Sequence, residues 1–317
     1  MSIPLRTKFR GITERELMIF EGPSGHSEWA AFPEYGDEEA TAWLAAAIEW
    51  AFEPAPKPVR DKVPVNAILP AVAIDKVSEV LAKAGSFSTL KIKVAESGQD
   101  QELDLARIKL AHQLNPEASL RLDANGGFSV TQSLELINKL AEHDIFLEYF
   151  EQPVASIAEL AELRIALSNS GQSVKIAADE SVRRVSDPHA VELAAAADLL
   201  VLKSAPLGGI MTALDIAEKS NLDVVPSSAL QSSIGLAAEL HFAASLPNLN
   251  YAAGLGTMSL FAGDLCRDSL RATDGFIELR RPELNGAALD IFRAEDHRED
   301  FWVDRLTRCG RALGLEA

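Results

Sequence analysis

Cysteine is almost missing from this chain: only Cys266 and Cys309 occur among 317 residues. They stand far apart and lack metal-ligand spacing, so we expect no disulfide framework, no cysteine zinc site and a reducing compartment. Long apolar runs are missing too. No window approaches the ~18 residues that a membrane span needs. Residues 1–10 hold no apolar core of a secretion signal, so a cytoplasmic protein is expected. Basic residues are scarce, 30 against 47 acidic, for a net charge of −17. Nucleic acid and anionic membrane surfaces select for basic patches, so neither is an expected partner. A small anionic molecule is still admissible, because a few lysines and a metal ion can hold one against the global field. None of the six histidines has ligand spacing. No protein partner is named by any stretch of the chain.

What is present is apolar material in a regular order. Hydrophobic residues make up 47% of the chain, enough for a large core. Residues 1–60 read as a small α+β cap. Two strands, Leu5–Phe9 and Glu16–Glu21, precede a loop from Gly22 to Gly36. A helix then starts at Asp37-Glu38-Glu39, with acids at the positive end of its dipole. Pro54, Pro56 and Pro58 form a stiff linker. From residue 61 to 274 strand and helix patterns alternate. Strands are expected at Val63–Pro70, Ser88–Val94, Ser119–Asn125, Ile145–Gln152, Lys175–Ser181, Leu199–Ser204, Asp223–Ser228 and Asn250–Gly254. Amphipathic stretches such as Gln101–Leu114 and Val130–Ala141 separate them. Eight βα repeats predict a (β/α)8-type, TIM-like barrel, with a modified form open. A doubly wound sheet is the alternative, but no glycine-rich dinucleotide fingerprint follows the first strand. Residues 275–317, with a strand at Glu278–Arg281 and a helix at Glu295–Leu313, should pack on the cap and barrel.

The chemistry sits at the strand ends. Side chains alternate along a strand, so Lys91 and Lys93 share one face of the second barrel strand while Leu90, Ile92 and Val94 share the other. Asp123 ends the third strand, Glu151 the fourth, Asp179 the fifth and Lys203 the sixth. From Lys93 onward the gaps are 30, 28, 28 and 24 residues, each about one βα unit. In a barrel such residues converge on the C-terminal face. Any one of the acids could be a helix cap, Asp123 before Gly126-Gly127 especially. Three gathered carboxylates instead repel unless a cation lies among them. All-oxygen ligands favour Mg²⁺, for which Mn²⁺ can substitute. Lys93 and Lys203 flank the acid strands and should face each other, an arrangement suited to removing a proton α to a carboxylate.

The ordered set of KxK, Asp in DAN, Glu in EQP, Asp in ADES and a lone Lys resembles the enolase superfamily, in its muconate-lactonizing subgroup. A narrower resemblance is to the o-succinylbenzoate synthase family of menaquinone biosynthesis. It rests on Phe9-Arg10-Gly11-Ile12, the serine-rich stretch 227–233, and Gly254-Leu255-Gly256-Thr257. The resemblance implies a hydro-lyase that removes water in a syn sense from 2-succinyl-6-hydroxy-2,4-cyclohexadiene-1-carboxylate, an anionic dicarboxylate. Lys93 would take the α-proton and then protonate the departing hydroxyl, with Lys203 stabilising the enediolate. Asp123, Glu151 and Asp179 would bind Mg²⁺, and Lys91 and Arg121 would give electrostatic support. Relatives often show Trp-Gly-Glu-Phe in the cap loop, where this chain has Trp29-Ala30-Ala31-Phe32.

Other polar residues take smaller parts. The backbone amides of Ser232 and Ser233, at a helix start, could hold the second substrate carboxylate, or these serines merely cap that helix. Gly254 and Gly256 allow close approach to a ligand or serve a tight turn. Asn125, Gln152 and Glu180 could orient the metal ligands. Trp29, Phe32 and Tyr35 either roof the pocket or pack inside the cap. Two alternatives stay open. The same lysines suit an N-succinylamino acid racemase or dipeptide epimerase, and a non-catalytic metal- or anion-binding barrel would show the same residues.

Overall fold

Short strands joined by tight turns cannot bury themselves, and the N-terminal unit answers this with two hairpins laid against one helix. The computed structural model describes residues 1–183 and 189–315. Strands β1 (Ser2–Phe9) and β2 (Ile12–Glu16) pair antiparallel, and the tip residues Arg10 and Gly11 have φ of 50° and 83°. Two central residues at positive φ match the twist of the strands they join. Strands β3 (Met18–Gly22) and β4 (Gly25–Trp29) form the second hairpin. Four strands therefore stand where two were expected. Buried Leu17 separates β2 from β3, and the polar sequence of β4, Gly-His-Ser-Glu-Trp, hides its strand character. Helix α1 (Asp37–Phe52) buries Ala40, Trp43, Leu44, Ala47 and Ala51 on one face, as its spacing predicts.

After β5 (Lys62–Pro64) the alternation begins with β6 (Ala67–Leu69), α2 (Val77–Ala84), β7 (Thr89–Lys93), α3 (Gln101–Leu114), β8 (Ser119–Asp123) and α4 (Val130–Ala141). It continues with β9 (Leu147–Glu151), α5 (Ile157–Asn169), β10 (Ile176–Ala178), α6 (Glu180–Arg183), α7 (Ala190–Leu193) and β11 (Leu199–Leu202). Helices α8 (Ser204–Leu207) and α9 (Ile210–Lys219), strand β12 (Asp223–Pro226) and helix α10 (Ser233–Ser245) complete it. Strands β6 to β12 form one parallel sheet in chain order. Helix starts are well capped. The Asp100 side chain accepts from the Leu103 amide, and Ser129 with Gln132 and Ser156 with Glu159 form capping boxes.

The expected eighth strand is reduced to two residues. Ala253 bridges Val65 and Gly254 bridges Ser227, both in parallel, so the two edges of the sheet are joined through this stretch. A Cβ on Gly254 would strike the Ser227 side chain, and one on Gly256 the Asn66 carbonyl. A 3-10 turn over Gly256–Leu260 follows in place of an eighth barrel helix.

Period-two alternation sorts the barrel strands. Leu90, Ile92, Leu122, Phe150, Leu200 and Leu202 join the large core under the helices. Tyr149, Ala177, Leu199, Val201, Val225 and Tyr251 form a separate apolar cluster from the alternate positions, inside the barrel.

Strand β13 (Phe276–Glu278) pairs antiparallel with β5, two residues earlier than predicted. Helices α11 (Gly286–Ile291) and α12 (Asp296–Ala312) follow, and α12 lies against the N-terminal unit. Trp302 meets Trp29 edge-on at 5.1 Å, Arg298 pairs with Glu16 at 2.6 Å, and buried Arg305 donates to the Phe32 and Tyr35 carbonyls. An aromatic pair of this kind adds ~0.5–1.5 kcal/mol beyond the area it buries. Both cysteines are buried and unpaired. No helix among the described residues is long and apolar enough to cross a membrane.

Candidate active site

Parallel register brings the polar strand ends level. Lys91 lies beside Arg121 and Lys93 beside Asp123, and Asp123 lies beside Glu151 on the next strand. Glu151 neighbours Ala177, which places Asp179 just beyond the end of β10. Strand β11 then leads into Lys203. Three acid-bearing strands therefore separate the strands that carry Lys93 and Lys203. With residues 253–254 as the eighth stave, those two lysines stand four staves apart, across the barrel from each other.

Each acid is matched by an ammonium group. Lys203 Nζ donates to Asp179 Oδ2 at 2.5 Å, and Lys91 Nζ reaches both oxygens of Glu151 at 3.2 and 3.0 Å. Lys93 Nζ lies 3.2 Å from Asp123 Oδ2, makes no hydrogen bond among the described residues, and sits 5.9 Å from the centre of the Phe9 ring. All six groups are buried. Burial opposes the ionised form of Asp179, yet Lys203 and Arg183 outweigh it and hold its pKa below the usual carboxylate value. Asp123 is likewise held low against burial, by Lys93 and Lys91. Burial also opposes the charge on Lys91, and Glu151 and Asp123 overcome it, pushing the ammonium pKa up. Glu151 goes the other way. Burial raises it and the neighbouring Asp123 and Asp179 add to this, against the pull of Lys91.

The space these groups enclose is only about 40 Å³, room for a water or so. It is lined by the barrel's Lys91, Lys93, Asp123, Asn125, Glu151 and Lys203, by Ser227, Ser228, Leu230, Gly254 and Thr257, and by Phe9 and Arg10 of the cap. The predicted supporting residues take distinct positions. Gln152, at φ 36°, accepts from the Asp179 and Ser181 amides through Oε1. Asn125 Nδ2 donates to Glu180 Oε1, and among the described residues Asn125 Oδ1 and Glu180 Oε2 are buried without a hydrogen-bond partner. Arg121 lies one layer below Asp123 and outside the cavity lining. It donates to Glu148, Asn66 and the Ala252 carbonyl, and stacks on Tyr149 at 4.6 Å. Glu148 is the extra residue of a bulge opposite Leu120 and Arg121, which turns it toward that guanidinium.

At three places the sequence left two readings open, and the structure favours the one without a ligand contact. Ser232 and Ser233 do not offer their amides to the cavity. The Ser232 amide and hydroxyl donate to Glu28 of the cap, and the Ser233 amide donates to Asp264. The start of α10 is already filled by the chain's own carboxylates. Gly256 packs on Asn66 rather than on the cavity. Trp29 and Phe32 are buried in the cap core, and Tyr35 instead accepts hydrogen bonds at 3.4 Å from both Arg10 and Arg183.

Several residues at or beside the site escaped the sequence reading. Arg183 pairs with Asp179 at 3.2 Å and Glu180 at 2.8 Å, and the only signal was its i+4 and i+3 spacing from them at a helix start. Glu28 is buried, and its pKa is raised to about 7 because burial outweighs the hydrogen bonds from Ser232 and the charge of Arg15. Arg15, also wholly buried, donates to the carbonyls of Leu230 at 2.9 Å and of Ala30. No sequence pattern links these residues.

The donor set of Asp123, Glu151 and Asp179 has the chemistry of a hard divalent cation site: buried, all oxygen, and mutually repelling. As they stand, each acid turns to an ammonium group. No three acidic, histidine or cysteine side chains among the described residues converge tightly enough to hold a common ion. The fit is therefore in donor chemistry and strand placement, and binding would require the acids to exchange lysine contacts for the ion.

Comparison with known proteins places this architecture. The enolase C-terminal domain-like family profile matches residues 73–294, and the enolase N-terminal domain-like profile matches residues 1–51. An o-succinylbenzoate synthase from Mycobacterium tuberculosis is 46% identical over 98% of this chain and 92% of its own length. The o-succinylbenzoate synthase from Mycolicibacterium smegmatis is 44% identical over 98% of this chain and 94% of its own. Among solved structures, the muconate lactonizing enzyme from Pseudomonas putida superposes with a TM-score of 0.73 at 18% identity, covering 92% of this chain and 96% of that one. Enolase superfamily members use a divalent metal. A capped barrel, its strand-end acids and lysines, and near-full-length identity to these relatives lead to one conclusion: this chain belongs to the enolase superfamily, within its o-succinylbenzoate synthase family.

Proposed function

We propose that the chain is a Mg²⁺-dependent o-succinylbenzoate synthase, a cytoplasmic hydro-lyase of menaquinone biosynthesis that converts 2-succinyl-6-hydroxy-2,4-cyclohexadiene-1-carboxylate to 2-succinylbenzoate. The reaction class is supported by Lys93 and Lys203 standing across the barrel with three buried carboxylates between them. The substrate is supported by the name shared by relatives 44–46% identical over nearly the whole chain.

Asp123, Glu151 and Asp179 would hold the ion. Once bound there, Mg²⁺ supplies positive charge beside the substrate carboxylate next to the reacting carbon. Lys93 Nζ, from one side, takes the proton from that α-carbon and returns it to the hydroxyl that leaves on the same face. One C–H and one C–O bond break, one water departs and the ring becomes aromatic. Lys203, from the opposite side, faces the negative charge that develops on the carboxylate oxygens. Lys91 pairs with Glu151 and offsets part of its burial, Arg121 anchors the layer beneath, and Gln152 fixes the backbone that carries Asp179. Charge balance favours this reading. Three lysines already match three acids at the strand ends, so the charge of a bound dication is left for a dianionic substrate to balance.

The test is an assay for loss of conjugated-diene absorbance, with and without chelator. Turnover that chelation abolishes and Mg²⁺ restores is expected; a protein that never consumes the diene would overturn the reading. Opposed lysines also suit 1,1-proton transfer, so N-succinyl amino acids are incubated in D₂O alongside. Racemisation with α-deuterium uptake, faster than dehydration of the diene, would transfer the assignment to a racemase.

A further inference from the structure

One cation in the cavity makes no direct ion pair with any acid among the described residues. Arg10 lines the cavity from the tip of the β1–β2 hairpin. Its guanidinium donates a 3.4 Å hydrogen bond to the Tyr35 hydroxyl and lies over the Phe32 ring, whose centre is 4.8 Å from the guanidinium carbon. Among the described residues no carboxylate lies within ion-pair distance of it. Arg183, which donates to the same hydroxyl, is by contrast paired with both Asp179 and Glu180.

The backbone beneath Arg10 points the same way. A non-glycine residue at φ 50° is held in a sparsely used conformation, here by the two-residue turn that carries the side chain into the cavity. A cation on a rigid hairpin, stacked on one aromatic ring and tethered to another's hydroxyl, is set before any ligand arrives.

We infer that Arg10 is the specificity-determining residue for the second carboxylate of the substrate, the one on the flexible succinyl arm. This rests on the function proposed above. The ring carboxylate must lie among the barrel lysines and acids, because its α-carbon has to sit between Lys93 and Lys203. The arm extends away from the strand ends, and the cap is what covers them. Arg10 is the cationic side chain that the cap contributes to the cavity lining. A guanidinium can grip a carboxylate with two parallel hydrogen bonds.

The test uses the full chain loaded with Mg²⁺ and two ligands, 2-succinylbenzoate and its analogue with the arm carboxylate converted to an amide. Wild type should bind the dicarboxylate on the order of 10- to 100-fold more tightly than the amide, the range for charged hydrogen bonds. Arg10→Gln should lose most of that preference while binding the amide within about threefold of wild type. Arg10→Lys, which keeps the charge but not the fork, should fall between. In turnover, Arg10→Gln should raise KM for the diene and leave kcat within about threefold, the mark of binding energy shared by ground and transition states. Equal affinity of wild type for both ligands would overturn the inference, and that measurement needs no variant. An equal loss on both ligands in Arg10→Gln would overturn it too, since that is the signature of a structural role. Failure of wild type to dehydrate the diene would count against the proposed function, and the two binding curves would still read Arg10 separately.

Discussion

The rim of the barrel and the seam under the cap both bury charge, and they stabilise it in different ways. At the rim, ions face ions: Lys91 with Glu151, Lys93 with Asp123, Lys203 with Asp179. At the seam, ions face backbone. Arg15 donates to the Leu230 and Ala30 carbonyls, and Glu28 accepts from Ser232 and from the Gly235 amide. An ion pair can exchange one partner for a ligand of the same charge. A charge bonded to main-chain groups cannot do so without moving the chain. The rim is therefore suited to chemistry, while the seam fixes where residues 229–232 lie against the cap.

The comparison breaks most visibly at the lysines. Lys93→Ala and Lys203→Ala should each reduce turnover by ~10²–10⁴ or more, the usual weight of general acid–base catalysis. The measurement is diene consumption on protein shown to be folded by circular dichroism. A loss under tenfold in both would remove the rim from the chemistry. Next comes the seam. Arg15→Met leaves buried carbonyls of Leu230 and Ala30 unpaired and should cost about 3 kcal/mol in denaturant unfolding, with a smaller fall in turnover than either lysine variant. A stability change under about 0.5 kcal/mol would show that the seam does not hold the cap as described.

The smallest effect is a pH dependence. The Glu28 pKa is raised to about 7 in the fold, from an ordinary value near 4.5. The native state then binds more protons than the unfolded chain between those values, so stability falls as pH rises through that window and levels off above it. Glu28→Gln should flatten this slope. The difference in unfolding free energy between wild type and Glu28→Gln should change by on the order of 2 kcal/mol from pH 5 to pH 8. Parallel curves would place the Glu28 carboxyl in a more polar setting than its burial implies.

Rim and seam also differ in how far the sequence disclosed them. A residue that ends a buried parallel strand carries its position in the strand itself. Lys93, Asp123, Glu151, Asp179 and Lys203 therefore announced themselves by recurring once per βα unit. Helices α3 and α4 were legible for a similar local reason, since caps and apolar spacing lie within a few residues of each other. The bond from Arg15 to Leu230 joins residues 215 apart, and Glu28 meets Ser232 across 204. No local pattern encodes such a meeting, so the sequence left the α10 start undecided between a ligand site and a cap, and a carboxylate of the N-terminal unit fills it. The eighth stave was expected as a full strand because its apolar run looked ordinary. Its pairing shrinks to the single bridges of Ala253 and Gly254, which its own sequence does not announce.

The apolar cluster inside the barrel has a consequence for traffic. Tyr149, Ala177, Leu199, Val201, Val225 and Tyr251 lie beneath the charged layer like a stopper in a flask. With that side plugged, traffic to and from the lysines belongs to the opposite, capped side, where Phe9 and Arg10 of the hairpin tip line the cavity.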